Sequence, residues 1–109
     1  MARLIRRGEI WTYDFRAPDK RRPVLIVTRN EAIEFLHSVM VAPITSTIRG
    51  LDSELLLGTA EGLKHESAAN FDFLQTVEKA RLTTYVGALT AAKQALICRA
   101  LEFAAGCRD

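Results

Sequence analysis

Two short apolar runs, each joined directly to polar chemistry, constrain this chain more than any other feature: Arg21-Arg22-Pro23-Val24-Leu25-Ile26-Val27-Thr28 and Val39-Met40-Val41-Ala42-Pro43-Ile44-Thr45-Ser46-Thr47. The unbroken aliphatic and β-branched residues 24–27 have the pattern of a central strand covered on both faces. Pro23 can open that strand, because a first residue need not donate to the ladder. Residues 38–44 read as a further strand, with Pro43 placing its end at an edge or bulge and Thr45 leaving the sheet there. If the two runs pair antiparallel, the start of the first lies beside the end of the second. Arg22 and Thr45 would then meet at one rim.

The flanking sequence supplies more strands. After Gly8, residues 9–15 alternate, with Trp11, Tyr13 and Phe15 on one face and Ile10, Thr12 and Asp14 on the other, so a strand with one buried aromatic face is expected. Arg16-Ala17-Pro18-Asp19-Lys20 is a turn. Asn30 is placed to cap one helical turn over residues 30–36. Beyond a loop at residues 49–52, Glu54-Leu55-Leu56-Leu57 is a short strand, and residues 58–64 form a turn-rich connection with two glycines. Residues 65–77 hold one or two strands, residues 78–82 a single helical turn, and residues 85–89 a closing strand. Thr90 caps a helix from Ala91 to Ala105 that Gly106 ends. On it Leu96, Ala100 and Phe103, with Ile97, Leu101 and Ala104 alongside, make one apolar face. The expected fold is mainly β with a C-terminal α-helix, a small closed or nearly closed β-barrel forming a single domain over residues 1–109.

Length and composition agree: 109 residues, 49% of them apolar, suffice for one core and not two. No apolar run approaches the roughly 20 residues that cross a bilayer, and Met1-Ala2-Arg3-Leu4-Ile5-Arg6-Arg7 is not followed by an apolar signal segment, so a cytoplasmic protein with no membrane partner is expected. Cys98 and Cys107 fall on one helix, ~13 Å apart along its axis and on opposite faces, which excludes a bridge between them. Free thiols fit a reducing compartment. No close-spaced ligand set accompanies them, so neither a metal nor another cofactor is expected. The net charge of +2 divides unevenly: residues 1–30 hold eight Lys or Arg against three acids, and residues 51–78 one Lys against six acids. A basic first third suits phosphate ligands, and an ordinary mixed-charge surface fits the composition equally well.

Taken in order, Arg7-Gly8-Glu9-Ile10-Trp11, Arg22-Pro23-Val24-Leu25-Ile26-Val27, Ala42-Pro43-Ile44-Thr45-Ser46, Gly62-Leu63-Lys64-His65-Glu66-Ser67, Asp72-Phe73-Leu74-Gln75-Thr76-Val77, Lys79-Ala80-Arg81-Leu82 and Gly87-Ala88-Leu89 resemble the MazF/PemK toxins. The resemblance implies an SH3-like barrel of the CcdB/PemK type and a homodimer. It implies a sequence-selective endoribonuclease that cuts single-stranded RNA and is silenced by a cognate antitoxin, expected to carry an acidic, partly disordered segment. Matched position by position, it makes Arg22 and Thr45 the catalytic pair. The chain departs from the family in a short first loop without the Gly-x-Glu element, and in Phe73, where the family more often has a polar residue. CcdB-like gyrase poisons share the barrel and are the alternative. They depend on a tryptophan near the C-terminus, and the only tryptophan here is Trp11.

Metal-free RNA cleavage requires the ribose 2′-OH to attack the adjacent phosphorus, leaving a 2′,3′-cyclic phosphate and a 5′-OH. A guanidinium can hold the charged phosphoryl oxygens with two donors, which suits Arg22, and Thr45 can add a hydroxyl donor. Arginine is too basic to serve as the base at neutral pH. His37 and His65 are the alternative acid/base candidates, because histidine titrates near neutrality. Arg16, Lys20, Arg21 and Arg49 are candidate phosphate contacts. Ser46 and Thr47, just beyond Thr45, are candidate RNA contacts on the same rim.

Overall fold

The computed structural model describes residues 4–16 and 21–107. Its strands are β1 (Glu9–Asp14), β2 (Arg21–Ile26), β3 (Ser38–Thr45), β4 (Glu54–Leu57), β5 (Ser67–Asn70), β6 (Gln75–Glu78) and β7 (Leu82–Ala88). Two helices, α1 (Asn30–Ile33) and α2 (Ala91–Ala105), and 3-10 turns at Thr59–Glu61, Phe71–Phe73 and Lys79–Arg81 complete it. Of the turn expected at residues 16–20, all but Arg16 lies outside the described residues.

The strands pair antiparallel in the order β4-β5-β3-β2-β1-β7, with β6 also on β3. Strands β4 and β7 are the two ends of this path and do not pair, so the sheet curls into a half-barrel instead of closing. The curl gives it two covered faces. On one, Val24 and Ile26 pack with Trp11, Tyr13, Val39 and Val41. On the other, Leu25 and Val27 pack with Ile10, Ala42 and Ile44 and with Ile97 and Ala100 of α2. The aliphatic run of β2 therefore is a central strand buried on both sides, as its composition requires. The single buried face expected of β1 is corrected by Ile10, which is fully buried opposite the aromatics because α2 covers that side.

β2 and β3 meet in the register Val24↔Pro43, Leu25↔Ala42, Ile26↔Val41. On its other side β3 changes partner: residues 38–41 pair with β6, and Ile44 and Thr45 with β5. Pro43 sits at that change of partner, where its missing N–H forfeits no ladder bond. It marks a break in a ladder and not the end of the strand. Thr45 stays in β3, opposite Ala68.

The chain ends as its capping residues dictate. The Thr90 side chain accepts from the Lys93 N–H at 3.3 Å, and Gly106 takes a left-handed φ of 77° that its lack of a Cβ permits. The apolar face of α2 is narrower than its periodicity suggests: Ile97 and Ala100 are buried, Leu101 and Ala104 half-buried, and Leu96 and Phe103 exposed. Asn30 is not a cap. It is the first residue of α1, and its side chain accepts from the backbone N–H of Arg7 at 2.7 Å.

Candidate active site

Continuing the β2–β3 register by two residues sets Arg22 opposite Thr45. Directly opposed residues of an antiparallel pair project from the same face, with Cβ atoms ~5 Å apart. Arg22 is also paired with Tyr13 of β1, so its backbone is held from both sides while its side chain is exposed. Thr45 is half-buried, and its Oγ1 accepts from the Thr47 N–H at 3.1 Å, which leaves its hydroxyl proton available to a ligand oxygen.

Arg22 and Thr45 form the ridge between two clefts. A larger one of about 500 Å³ is lined by both residues together with Thr12, Ser46, Lys64 and His65. A smaller one of about 260 Å³ is lined by both together with Thr47, Arg49, Asn70 and Phe73. Among the described residues that line the two clefts, every formal charge is a cation: Arg22, Lys64 and Arg49. None of the acids of residues 51–78 lines either cleft, and Glu61 and Glu66 line a neighbouring groove of mixed polarity. This arrangement can hold a phosphodiester on the ridge, with a nucleotide in the cleft on either side.

The sequence-derived candidates divide accordingly. Arg22, Thr45, Ser46, Thr47, Arg49 and His65 come together. His37 does not: it precedes β3 at the end opposite Thr45, where its carbonyl accepts from the Lys79 N–H. Arg21, opposite Asp14 in the β1–β2 ladder, and Arg16 line neither cleft. Lys20 lies outside the described residues. Thr12, Lys64 and Asn70 join the site without having been singled out. Thr12 could have been found from the register, since it pairs with Pro23.

Asn70 is buried, and its Oδ1 accepts from the Asp72 N–H at 2.8 Å, capping the 3-10 turn that carries Phe73. The side-chain orientation follows, because an N–H donor requires the oxygen at that point. Phe73 itself is 59% exposed. Trp11 and Tyr13, by contrast, belong to the core, with Trp11 edge-on to Tyr85 at 5.8 Å.

The wall of the larger cleft is anchored through Glu61. This carboxylate, 2% exposed, accepts from the Gly58 N–H at 2.7 Å and from Lys93 Nζ at 2.8 Å. Burial pushes its pKa up, but the Lys93 hydrogen bond, the Gly58 N–H and the Lys93 charge together hold it below the usual carboxylate value.

A curled sheet whose rim presents cations and hydroxyls, with no carboxylate among the described lining residues, is the framework of a protein that handles a polyanion. The chain belongs to the PemK-like, MazF-like toxins of type II toxin–antitoxin systems, whose family model matches residues 6–104. It is 40% identical over 108 residues to the probable endoribonuclease MazF5 of Mycobacterium tuberculosis, covering 98% of each chain. Among solved structures it is similar to the M. tuberculosis toxin MazF-mt6, with a TM-score of 0.82 and 35% identity over 90% of this chain and 96% of that one. A mycobacterial endoribonuclease in complex with its cognate antitoxin has a TM-score of 0.83 and 27% identity, over 96% of this chain and 98% of that one. No described helix is long and apolar enough to cross a membrane.

Proposed function

We propose that this MazF-type endoribonuclease toxin cleaves single-stranded RNA at selected sequences without a metal, by attack of a ribose 2′-OH on the neighbouring phosphorus. The observation that carries this is the ridge: Arg22 and Thr45, from adjacent strands, are, among the described residues, the polar side chains common to both clefts. Arg22 holds the nonbridging oxygens with its planar fork and Thr45 donates one hydroxyl, so the charge that builds on the phosphoryl group meets preorganised donors. The O2′–P bond forms, the P–O5′ bond breaks, and the products are a 2′,3′-cyclic phosphate and a 5′-OH.

Selectivity comes from the clefts, because Arg22 and Thr45 touch only backbone chemistry. Phe73 offers an exposed aromatic face on which a base can stack, worth ~1–3 kcal/mol, and Asn70 supplies a donor at its edge. The toxin acts as a homodimer, and its antitoxin covers the Arg22 ridge with an acidic segment that orders on binding. The exposed apolar side chains Phe35, Leu36 and Tyr85 and the unpaired edge of β7 fit a second copy.

The test is cleavage of a short single-stranded RNA in excess EDTA, with analysis of the new ends. Undiminished cutting that yields cyclic phosphates and 5′-OH ends is expected. Activity that disappears with chelator and returns with Mg²⁺ would replace this mechanism with a metal-dependent one.

A further inference from the structure

We propose that His65 is the proton-transfer group of this cleavage, an assignment that rests on the endoribonuclease mechanism above. Arg22 and Thr45 stabilise charge but exchange no proton near neutral pH, since a guanidinium stays protonated and an aliphatic hydroxyl stays neutral. The reaction nonetheless has to remove a proton from O2′ and deliver one to O5′. Histidine is the side chain that performs both at neutral pH. His65 is the one histidine among the described residues that line the larger cleft beside Arg22 and Thr45.

The segment bearing His65 is fixed with more contacts than a surface loop needs. Gly62 has a φ of +93°, and a Cβ there would stand 2.4 Å from the carbonyl oxygen of Val86. Gly87 answers it from β7, where a Cβ would stand 2.0 Å from the carbonyl oxygen of Glu61. Backbone thus lies directly on backbone, which only glycine allows at these two positions. The Glu61 carboxylate ties the start of the segment to Gly58 and to α2, and Ser67 Oγ donates to the His65 carbonyl at 3.1 Å. The main chain on either side of His65 is held while the imidazole remains exposed on the cleft wall. That is the support a proton-transfer group requires, because such groups act only within hydrogen-bond reach of the reacting atom.

The surroundings of the imidazole are simple. Among the described residues, Arg22 faces the same cleft from β2 and Lys64 from the same loop, while β1, β3 with the following Ser46, β5 and β7 bring Thr12, Thr45, Ser46, Ser67 and apolar side chains. Glu66 lines the neighbouring groove instead. Either the neutral imidazole accepts the O2′ proton and water protonates the departing O5′, or the imidazolium donates to O5′ as the P–O5′ bond breaks and water takes the O2′ proton. Arg22 keeps its protons throughout.

The experiment is single-turnover cleavage of a short RNA by wild type, His65→Ala, His65→Arg and His37→Ala from about pH 5 to 9, spanning the ordinary histidine range. Circular dichroism checks folding, and binding is measured on an RNA carrying a 2′-deoxyribose at the scissile position. We expect His65→Ala to lose ~100-fold or more in rate and one limb of the pH profile, with binding within a few-fold of wild type. His65→Arg stays slow, and His37→Ala matches wild type. An RNA with sulfur in place of the bridging O5′ leaves without a proton: recovery of His65→Ala on it makes His65 the acid, and continued loss alongside the missing pH limb makes it the base. Loss under tenfold, restoration by His65→Arg, or loss accounted for by weaker binding would each overturn the assignment. A wild-type protein that cuts no RNA would instead remove the parent mechanism.

Discussion

Arg22 is the side chain on which the proposed chemistry turns, and its position separates function from stability. It is exposed at the rim and belongs to neither core cluster, so truncating it leaves both intact. Loss of one preorganised donor to a developing oxyanion costs ~3–4 kcal/mol, or ~100- to 1,000-fold in rate, and a charged donor with two N–H arms costs at least that. Arg22→Ala is therefore expected to fall by that factor or more while folding normally. Arg22→Lys recovers little, because it restores the charge without the planar fork. Thr45→Ala removes one neutral donor and is expected to lose about tenfold, in line with ~1–1.5 kcal/mol per neutral hydrogen bond. Single-turnover rates alongside thermal unfolding check all three. A folded Arg22→Ala protein cutting at the wild-type rate would displace the site from the ridge.

At the scale of elements, the connection between β4 and β5 deserves the closest test, because it is where stability and the site are coupled. Glu61 joins that connection to α2 through Lys93, whose side chain is 35% exposed. Removing one member of a buried pair costs ~3–5 kcal/mol; with Lys93 a third exposed, water replaces part of the loss, and Lys93→Ala is expected to cost about 1–3 kcal/mol. The pH dependence has a definite sign. Glu61 is held below its ordinary pKa, so its contribution is present in full above the unfolded value of ~4.3 and is lost as pH falls through the lower folded value. Denaturant midpoints measured downward from neutral pH should therefore fall faster for wild type than for Glu61→Gln. Parallel curves would show that Glu61 contributes nothing through ionisation. This connection is also where the sequence is least legible. The β2–β3 rim can be read from two apolar runs, since strand alternation and an antiparallel register suffice to bring Arg22 to Thr45. Lys64 and His65 sit in a turn-rich stretch whose place depends on Gly62 and Gly87 meeting across the fold, and no local pattern records that meeting. Asn30 fails as a cap for the same reason: a distant partner, the Arg7 N–H, takes the oxygen that a local cap would use.

Across the whole molecule, the charge of the clefts does not follow the division of charge along the sequence. The formal charges lining the two clefts, among the described residues, are the cations Arg22, Lys64 and Arg49. Two of these, Lys64 and Arg49, lie outside the basic first third, so the fold gathers a cationic surface that no single segment contains. An RNA strand crossing the ridge and an acidic antitoxin segment are then expected to compete for the same cations. Binding of single-stranded RNA releases counterions with a slope of about −0.7 per neutralised phosphate, so three contacts give a slope near −2 in log affinity against log salt. Fluorescence anisotropy with a non-cleavable RNA over a series of salt concentrations measures this directly. Arg49→Ala should weaken binding and reduce the slope by about 0.7, because it removes one phosphate contact. Saturating antitoxin should abolish the signal at every salt concentration. A slope near zero, or antitoxin and RNA bound together, would mean that the clefts beside Arg22 are not the surface on which RNA lies.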